Sequence, residues 1–220
     1  MTARFGSEPL HLVEVGLAWP PDTFLRSKLV GLSQRGFRIT VVALSGAPTE
    51  PVLPGIEVVT MPIRTERPAR MLIGAARDCL RLALTRPARL STVRAAFADL
   101  GRTSLRERLR WLRMFAALAA LRPDIVHFEW ESSALRYLPL VDLWRCPMVM
   151  SCHGGLDLYS HVPSHSRQVA GVAEAFRRAS AVHCVSDAVR AEATGYGLDP
   201  DRAQVIRGGV DLGTFAPPKR

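Results

Sequence analysis

Short apolar runs alternate along this chain with stretches whose apolar positions recur every three to four residues. Leu10–Leu17 is the first run, and it breaks at Trp19-Pro20-Pro21. Asp22 stands at the N-cap position of a helix carried by Phe24, Leu25, Leu29 and Leu32 and stopped by Gly36. Phe37–Leu44 is a continuous β-branched run, the pattern of a strand buried on both faces. Pro54-Gly55 turns the chain into a third strand, Ile56–Met61. Farther on, Asp124–Phe128, Pro147–Cys152, Ala181–Val185 and the short Ala203–Ile206 read as strands. Ser132–Leu143, Gln168–Ala179 and Asp187–Thr194 read as helices, the last with Ser186 as its N-cap. This alternation predicts an α/β fold: a Rossmann-like parallel sheet, helices on both faces, and right-handed crossovers.

The stretch between the third and fourth strands has a different character. Ser104-x-x-Glu107 is a capping box that opens a helix. Along that helix Leu105, Leu109, Leu112 and Ala116 form an apolar stripe, and Arg102, Arg106, Arg110 and Arg113 form a basic one. An earlier helix, ended by Pro87, sets Arg70, Arg77 and Arg81 beside Leu72, Ala76, Leu80 and Leu84. The segment is expected to be a helical insertion over about residues 64–115.

Charge sharpens that boundary. The chain has 220 residues, 29 Lys+Arg and 20 Asp+Glu, a net charge of +9. Residues 64–113 alone hold 13 Arg and four acids, Glu66, Asp78, Asp99 and Glu107, so they carry the whole surplus. The rest holds sixteen charges of each sign. A uniformly basic coat is thereby excluded. Arg outnumbers Lys 27 to 2, which follows either from a GC-rich genome or from selection for guanidinium, the better bidentate phosphate ligand. Two readings of the basic helices stand side by side. They lie on anionic lipid, or they pack on the sheet with a solvated Arg face.

Length and composition suit one sizeable globular core. The four cysteines, Cys79, Cys146, Cys152 and Cys184, are widely spaced, which fits reduced thiols in a cytosol and fits no common zinc motif. No apolar run reaches the roughly 18 residues of a membrane span. The N-terminus lacks the charge and apolar pattern of a secretory signal, so the expected location is cytoplasmic, including the inner face of the cell membrane.

In parallel sheets the site lies beyond the carboxyl ends of the strands. That rule nominates the loops Ala18–Thr23, His127–Ser133 and His153–Tyr159. The last contains His153-Gly154-Gly155-Leu156-Asp157, whose glycines admit a ligand close to the backbone. Glu129 and Glu131 lie two apart and are expected to share a strand face, where they either contact an acceptor or form salt bridges.

With these elements placed, the second half resembles a known family. Pro123-Asp124-Ile125-Val126-His127, then Pro147–Ser151 with His153-Gly154 and Asp157, is similar to the N-terminal half of retaining GT-B glycosyltransferases of the group 1, or family 4, type. Ala181–Ser186 resembles their strand-then-Ser signature, and Val205-Ile206-Arg207-Gly208-Gly209-Val210-Asp211 with Phe215 and Pro217 resembles the stretch that closes their first domain. The first loop departs from members that place a Gly-Gly pair near the donor phosphates and reads instead Trp19-Pro20-Pro21-Asp22-Thr23-Phe24.

The resemblance implies transfer of a sugar from a nucleotide diphosphate with retained anomeric configuration, with no obligatory metal and no cofactor beyond the donor substrate. It implies that His153 hydrogen-bonds the transferred sugar. Gly154, Gly155, Asp157, Trp19, Asp22, Thr23, Glu129 and Glu131 are the accompanying substrate-binding candidates, and Arg102, Arg106, Arg110 and Arg113 the membrane or acceptor patch. The expected partners are a nucleotide-sugar, a glycan or lipid-linked acceptor, an anionic membrane surface and a donor-binding domain. That second domain is expected where the chain stops at Arg220, so residues 1–220 read as half of an enzyme. The alternative is a non-catalytic binding or scaffold subunit that pairs with a separate donor-binding domain. Nucleic acid is not an expected partner, because Phe97, Trp111 and Phe115 occupy apolar helix positions and form no stacking platform.

Overall fold

Seven strands form one sheet in the computed structural model, which describes residues 8–45, 55–60, 67–98, 104–154 and 166–209. They are β1 (His11–Ala18), β2 (Arg38–Ser45), β3 (Ile56–Thr60), β4 (Ile125–Phe128), β5 (Met148–Cys152), β6 (Ala181–Cys184) and β7 (Ala203–Val205). The order across the sheet is β3-β2-β1-β4-β5-β6-β7, and every neighbouring pair is parallel. The helices are α1 (Thr23–Gln34), α2 (Pro68–Thr85), α3 (Ala88–Ala98), α4 (Leu105–Ala119), α5 (Glu131–Trp144), α6 (Ser166–Arg178) and α7 (Asp187–Gly195). The Rossmann-like α/β expectation holds, and the element bounds agree to within about two residues. Pro54, Arg102, Gly155, Asp157 and the motif from Val210 onward lie outside the described residues.

Burial explains the two faces. Leu25 and Leu29 of α1 pack with Leu12, Leu17, Ile39, Val41 and Ile56 on one side of the sheet. On the other side a larger core joins Val13, Val15, Val126, Phe128, Met148, Met150 and Val182 to residues of the remaining helices. Leu12 and Leu17 share the α1 side although their separation is odd, which strict strand alternation forbids. The register of β1 against β2 shifts on either side of Leu17, and Gly16 takes φ +104° beside it. This bulge turns Leu17 onto the face of Leu12. It also needs glycine, because a Cβ at Gly16 would lie 2.2 Å from Ser133 Oγ.

The basic segment forms three helices and belongs to the core. Leu82 of α2, Val93 of α3 and Phe115, Leu118 and Ala119 of α4 are all buried in the larger cluster. Ser104 and Glu107 form the predicted capping box at the start of α4. Trp111 and Phe115 stack at 3.9 Å, and Phe97 and Tyr137 flank them at 6.0 and 5.9 Å. These rings tie α3, α4 and α5 together.

Of the two readings of the basic helices, packing through the stripe of Leu72, Ala76, Leu80 and Leu84 does not hold for α2, since all four are exposed. The buried face is Met71, Gly74, Ala75, Asp78 and Leu82. Small residues win because they admit α4 closely: a Cβ at Gly74 would lie 2.5 Å from Arg113 Nε. Arg113 accordingly turns inward, 3.8 Å from Asp78, and leaves the outward basic row expected of α4.

Candidate functional site

The strand order reverses between β1 and β4, and in α/β sheets ligands bind in the crevice beyond the carboxyl ends at such a point. Four polar residues interrupt the apolar strands there: Glu14 on β1, His127 on β4, Ser151 on β5 and His183 on β6. Glu14 and His127 are register partners, as are Ser151 and His183. Their side chains form a continuous chain across four strands. His127 Nδ1 lies 2.6 Å from Glu14 Oε1, and His127 Nε2 lies 3.0 Å from Ser151 Oγ. Ser151 Oγ is 3.0 Å from His183 Nδ1, and His183 Nε2 is 2.9 Å from the Ile206 carbonyl.

Donor and acceptor roles follow from the two ends of this chain. The Ile206 carbonyl accepts only, so His183 donates from Nε2. Burial disfavours a charge on His183 and lowers its pKa, so the neutral ring accepts at Nδ1 from the Ser151 hydroxyl. Ser151 Oγ then accepts from His127 Nε2–H, while Glu14 accepts from His127 Nδ1–H. These tautomers are assigned from the hydrogen-bond pattern.

Lys28, in the second turn of α1, reaches into the same place. Its Nζ lies 3.0 Å from Glu14 Oε1 and 3.2 Å from His127 Nδ1, and it is ion-paired to Glu129. Glu14, His127 and Glu129 are all buried and hold their ligand atoms within 4.8 Å of one another, a donor set able to take a cation. The ammonium of Lys28 occupies that place, so the cage is served by the chain's own cation. Two carboxylates thus face the Lys28 ammonium, and His127 bonds to one of them. Burial alone would raise the Glu129 carboxyl, but the His153 hydrogen bond and the Lys28 and His127 charges outweigh it and hold it well below the usual range. For Lys28, burial pulls the ammonium down and the two carboxylates more than restore it, raising its pKa.

His153 joins this cage to the crevice. It follows β5 directly, and its Nε2 donates to Glu129 Oε1 at 2.7 Å. The ring is flanked by Trp130 at 4.8 Å, Phe24 at 5.5 Å and His183 at 6.0 Å. Half-exposed Phe24, at the start of α1, makes the outer wall. The carboxylate of Glu129 thereby fixes the orientation of the ring.

Comparison with known proteins adds the identity of this arrangement. The sequence pattern of Glycosyltransferase Family 4 matches residues 23–214. The chain belongs to that family. Its fold is that of half a GT-B enzyme. Anabaena HepE (Alr3699), solved in complex with UDP, superposes with a TM-score of 0.54 at 16% identity, over 95% of this chain and 47% of that one. Sucrose-phosphate synthase from Thermosynechococcus elongatus gives 0.56 at 12%, over 93% and 49%. The lipopolysaccharide outer core galactosyltransferase WaaB, in its apo form, gives 0.51 at 13%, over 96% and 50%. The family 4 chain therefore spans about half the length of the solved structures it matches. No curated protein sequence matches it.

The predicted site residues of the family 4 chain fall into three groups. His153 and Glu129 are in direct contact, and Gly154 follows in a turn with φ +76°. Trp19 and Asp22 lie between β1 and α1, and Thr23 is the first residue of α1. Asp22 occupies the N-cap position, but its side chain makes no capping hydrogen bond. Arg106, Arg110 and Arg113 lie on α4 in the basic segment. Glu129 and Glu131 do not share a strand face, since β4 ends at Phe128 and Glu131 opens α5. Glu129 turns to Lys28 and His153, whereas Glu131 is buried against the Cys152 thiol, whose pKa is raised by its hydrogen bond to Cys184 and by burial.

Lys28, Glu14, Ser151 and His183 are absent from the residues nominated by sequence, and His127 entered only as the first residue of a nominated loop. A signal for the first was present: Lys28 is one of two lysines in a chain with 27 arginines. A compact ammonium with three donors fits a cage of this size, where a planar guanidinium does not. Glu14 and His127 were visible as polar interruptions of apolar strands, but only the register shows that they meet.

Proposed function

We propose that this chain is the acceptor-side half of a glycosyltransferase of hexosyltransferase type. It transfers a sugar from a nucleotide diphosphate donor, with retained configuration, to a glycan or lipid-linked acceptor in cell-surface polysaccharide or glycolipid synthesis. A donor-binding half completes the site in cis or in trans, and the reaction proceeds in the cytoplasm or on the inner membrane face. HepE, with UDP bound, supports a nucleotide-sugar as donor.

The observation that carries this reading is His153 held by Glu129 at the switch point of a family 4 sheet. In this role His153 meets the hydroxyls of the transferred sugar while the pyrophosphate leaves toward the donor half. Glu129 fixes the ring and Lys28 fixes Glu129, so the imidazole needs no reorganisation as charge develops. The rings of Trp130 and Phe24 shield the site from water.

Sugar transfer is measured with the chain combined with its donor-binding half, labelled nucleotide-sugars and a lipid-glycan extract. His153→Ala is expected to lower turnover by about a hundredfold or more while the chain stays folded, as its circular dichroism spectrum reads. Near-normal turnover removes His153 from the reaction.

A further inference from the structure

The exposed side of α2 stands out among the described residues. Leu72, Ile73, Leu80 and Leu84 are between 55% and 76% exposed. At one residue per 100°, these four and exposed Ala69 and Ala76 share one face of the helix, opposite the face buried on α4. Arg70, Arg77 and Arg81 run along one edge of it, all exposed. The helix has 18 residues, so this ridge is about 27 Å long. Its one acid, Asp78, is buried between Arg77 and Arg113 and offers no negative charge at the surface. Among the described residues no helix is long and apolar enough to cross a membrane.

We propose that this leucine face docks α2 lengthwise onto an anionic lipid bilayer, with Leu72, Ile73, Leu80 and Leu84 among the acyl chains and Arg70, Arg77 and Arg81 at the lipid phosphates. An amphipathic helix lying in the interface has this composition: aliphatic on one side, basic at the margin. Charge selects the occupant. A second copy would bring two arginine-edged faces together, and like charges at an interface are unfavourable. A protein partner's hot spot is usually built on Trp, Tyr or Arg anchors, and the apolar face here is wholly aliphatic. An anionic surface meets both the leucines and the local charge surplus.

This places the membrane contact on α2, not on the α4 arginine row that the sequence suggested. It rests on the membrane-proximal acceptor of the proposed function, and vesicle binding reads it without any transfer assay, so either can fail alone.

The test is flotation of the full chain with vesicles of phosphatidylcholine, with and without a third of phosphatidylglycerol. Wild type is expected to float with the anionic vesicles and to be released by high salt. The Leu72/Ile73/Leu80/Leu84→Ser variant should bind at least about tenfold more weakly, with an unchanged circular dichroism spectrum. Arg70/Arg77/Arg81→Gln should lose the preference for phosphatidylglycerol, whereas Arg106/Arg110→Gln should keep it. Equal flotation with both vesicle types, or full binding by the serine variant, overturns the proposal. So does concentration-dependent self-association that the serine variant abolishes without vesicle binding by the wild type.

Discussion

Lys28 shows how one side chain governs the electrostatics of this site. Glu129 is held below the ordinary carboxylate range in the folded chain. Its charge therefore stabilises the fold above about pH 4.3, and that contribution is lost as pH falls toward the folded value. Lys28 is held above its ordinary range. Its contribution is complete below about pH 10.4 and is lost as pH rises through the folded value. Between these limits both contributions are complete, and Glu129→Gln should flatten the acid side of the urea midpoints measured across pH. Lys28→Met should cost about 3 kcal/mol at neutral pH, because it leaves two buried carboxylates without their ammonium partner. An unchanged midpoint in Lys28→Met would mean that the cage relaxes to admit water. His11, at the other end of β1, marks the contrast, since its ring nitrogens are bonded to Thr40 Oγ1 and the Arg122 carbonyl, away from the cage.

Single elements were legible in proportion to how local their causes are. The capping box of α4 and the Ser186 cap of α7 involve neighbours three positions apart, and both stand as the sequence predicts. Ser104→Ala should cost about 1 kcal/mol in thermal or urea unfolding. The bulge in β1 is different, because its cause lies on another element. Gly16→Ala is expected to destabilise by about 2–3 kcal/mol or more through its positive φ and the contact with α5. Ser133→Ala should not rescue it, since Ser133 Cβ itself would lie 2.8 Å from the new methyl. Full rescue would show that the hydroxyl clash, not the backbone, is the cost. For α2 the helical period was readable, but apolar residues occur on two faces. Contact with Arg113 and α4 decides which one is buried.

Across the whole molecule, the parallel sheet follows from buried strands separated by helical crossovers, and its switch point follows from the order in which they assemble. The basic segment is part of that sheet's cover, with Phe115, Leu118 and Ala119 in the main core. Removing α2–α4 as a unit should therefore unfold the domain, not trim a surface loop, and far-UV circular dichroism of the deletion reads this directly. Arg70, Arg77 and Arg81 lie on the exposed side of α2, whereas Arg113 turns in toward Asp78 and Arg89 donates to the Ala119 and Leu121 carbonyls.

The amino-acid sequence by itself determined the strands, most helix ends, the α/β class, the family and the place of His153 after β5. Each of these rests on local pattern: alternation, periodicity, caps and short motifs. Tertiary structure alone decided that Lys28 neutralises Glu14 and Glu129, that Glu129 and Glu131 part company, and that the leucines of α2 face outward. Glu14 and His127 are 113 positions apart, and Lys28 and Glu129 are 101 apart. No local preference encodes such meetings. They arise when separate crossovers bring β1, β4 and α1 to one edge, where desolvation forces each buried charge to find a partner.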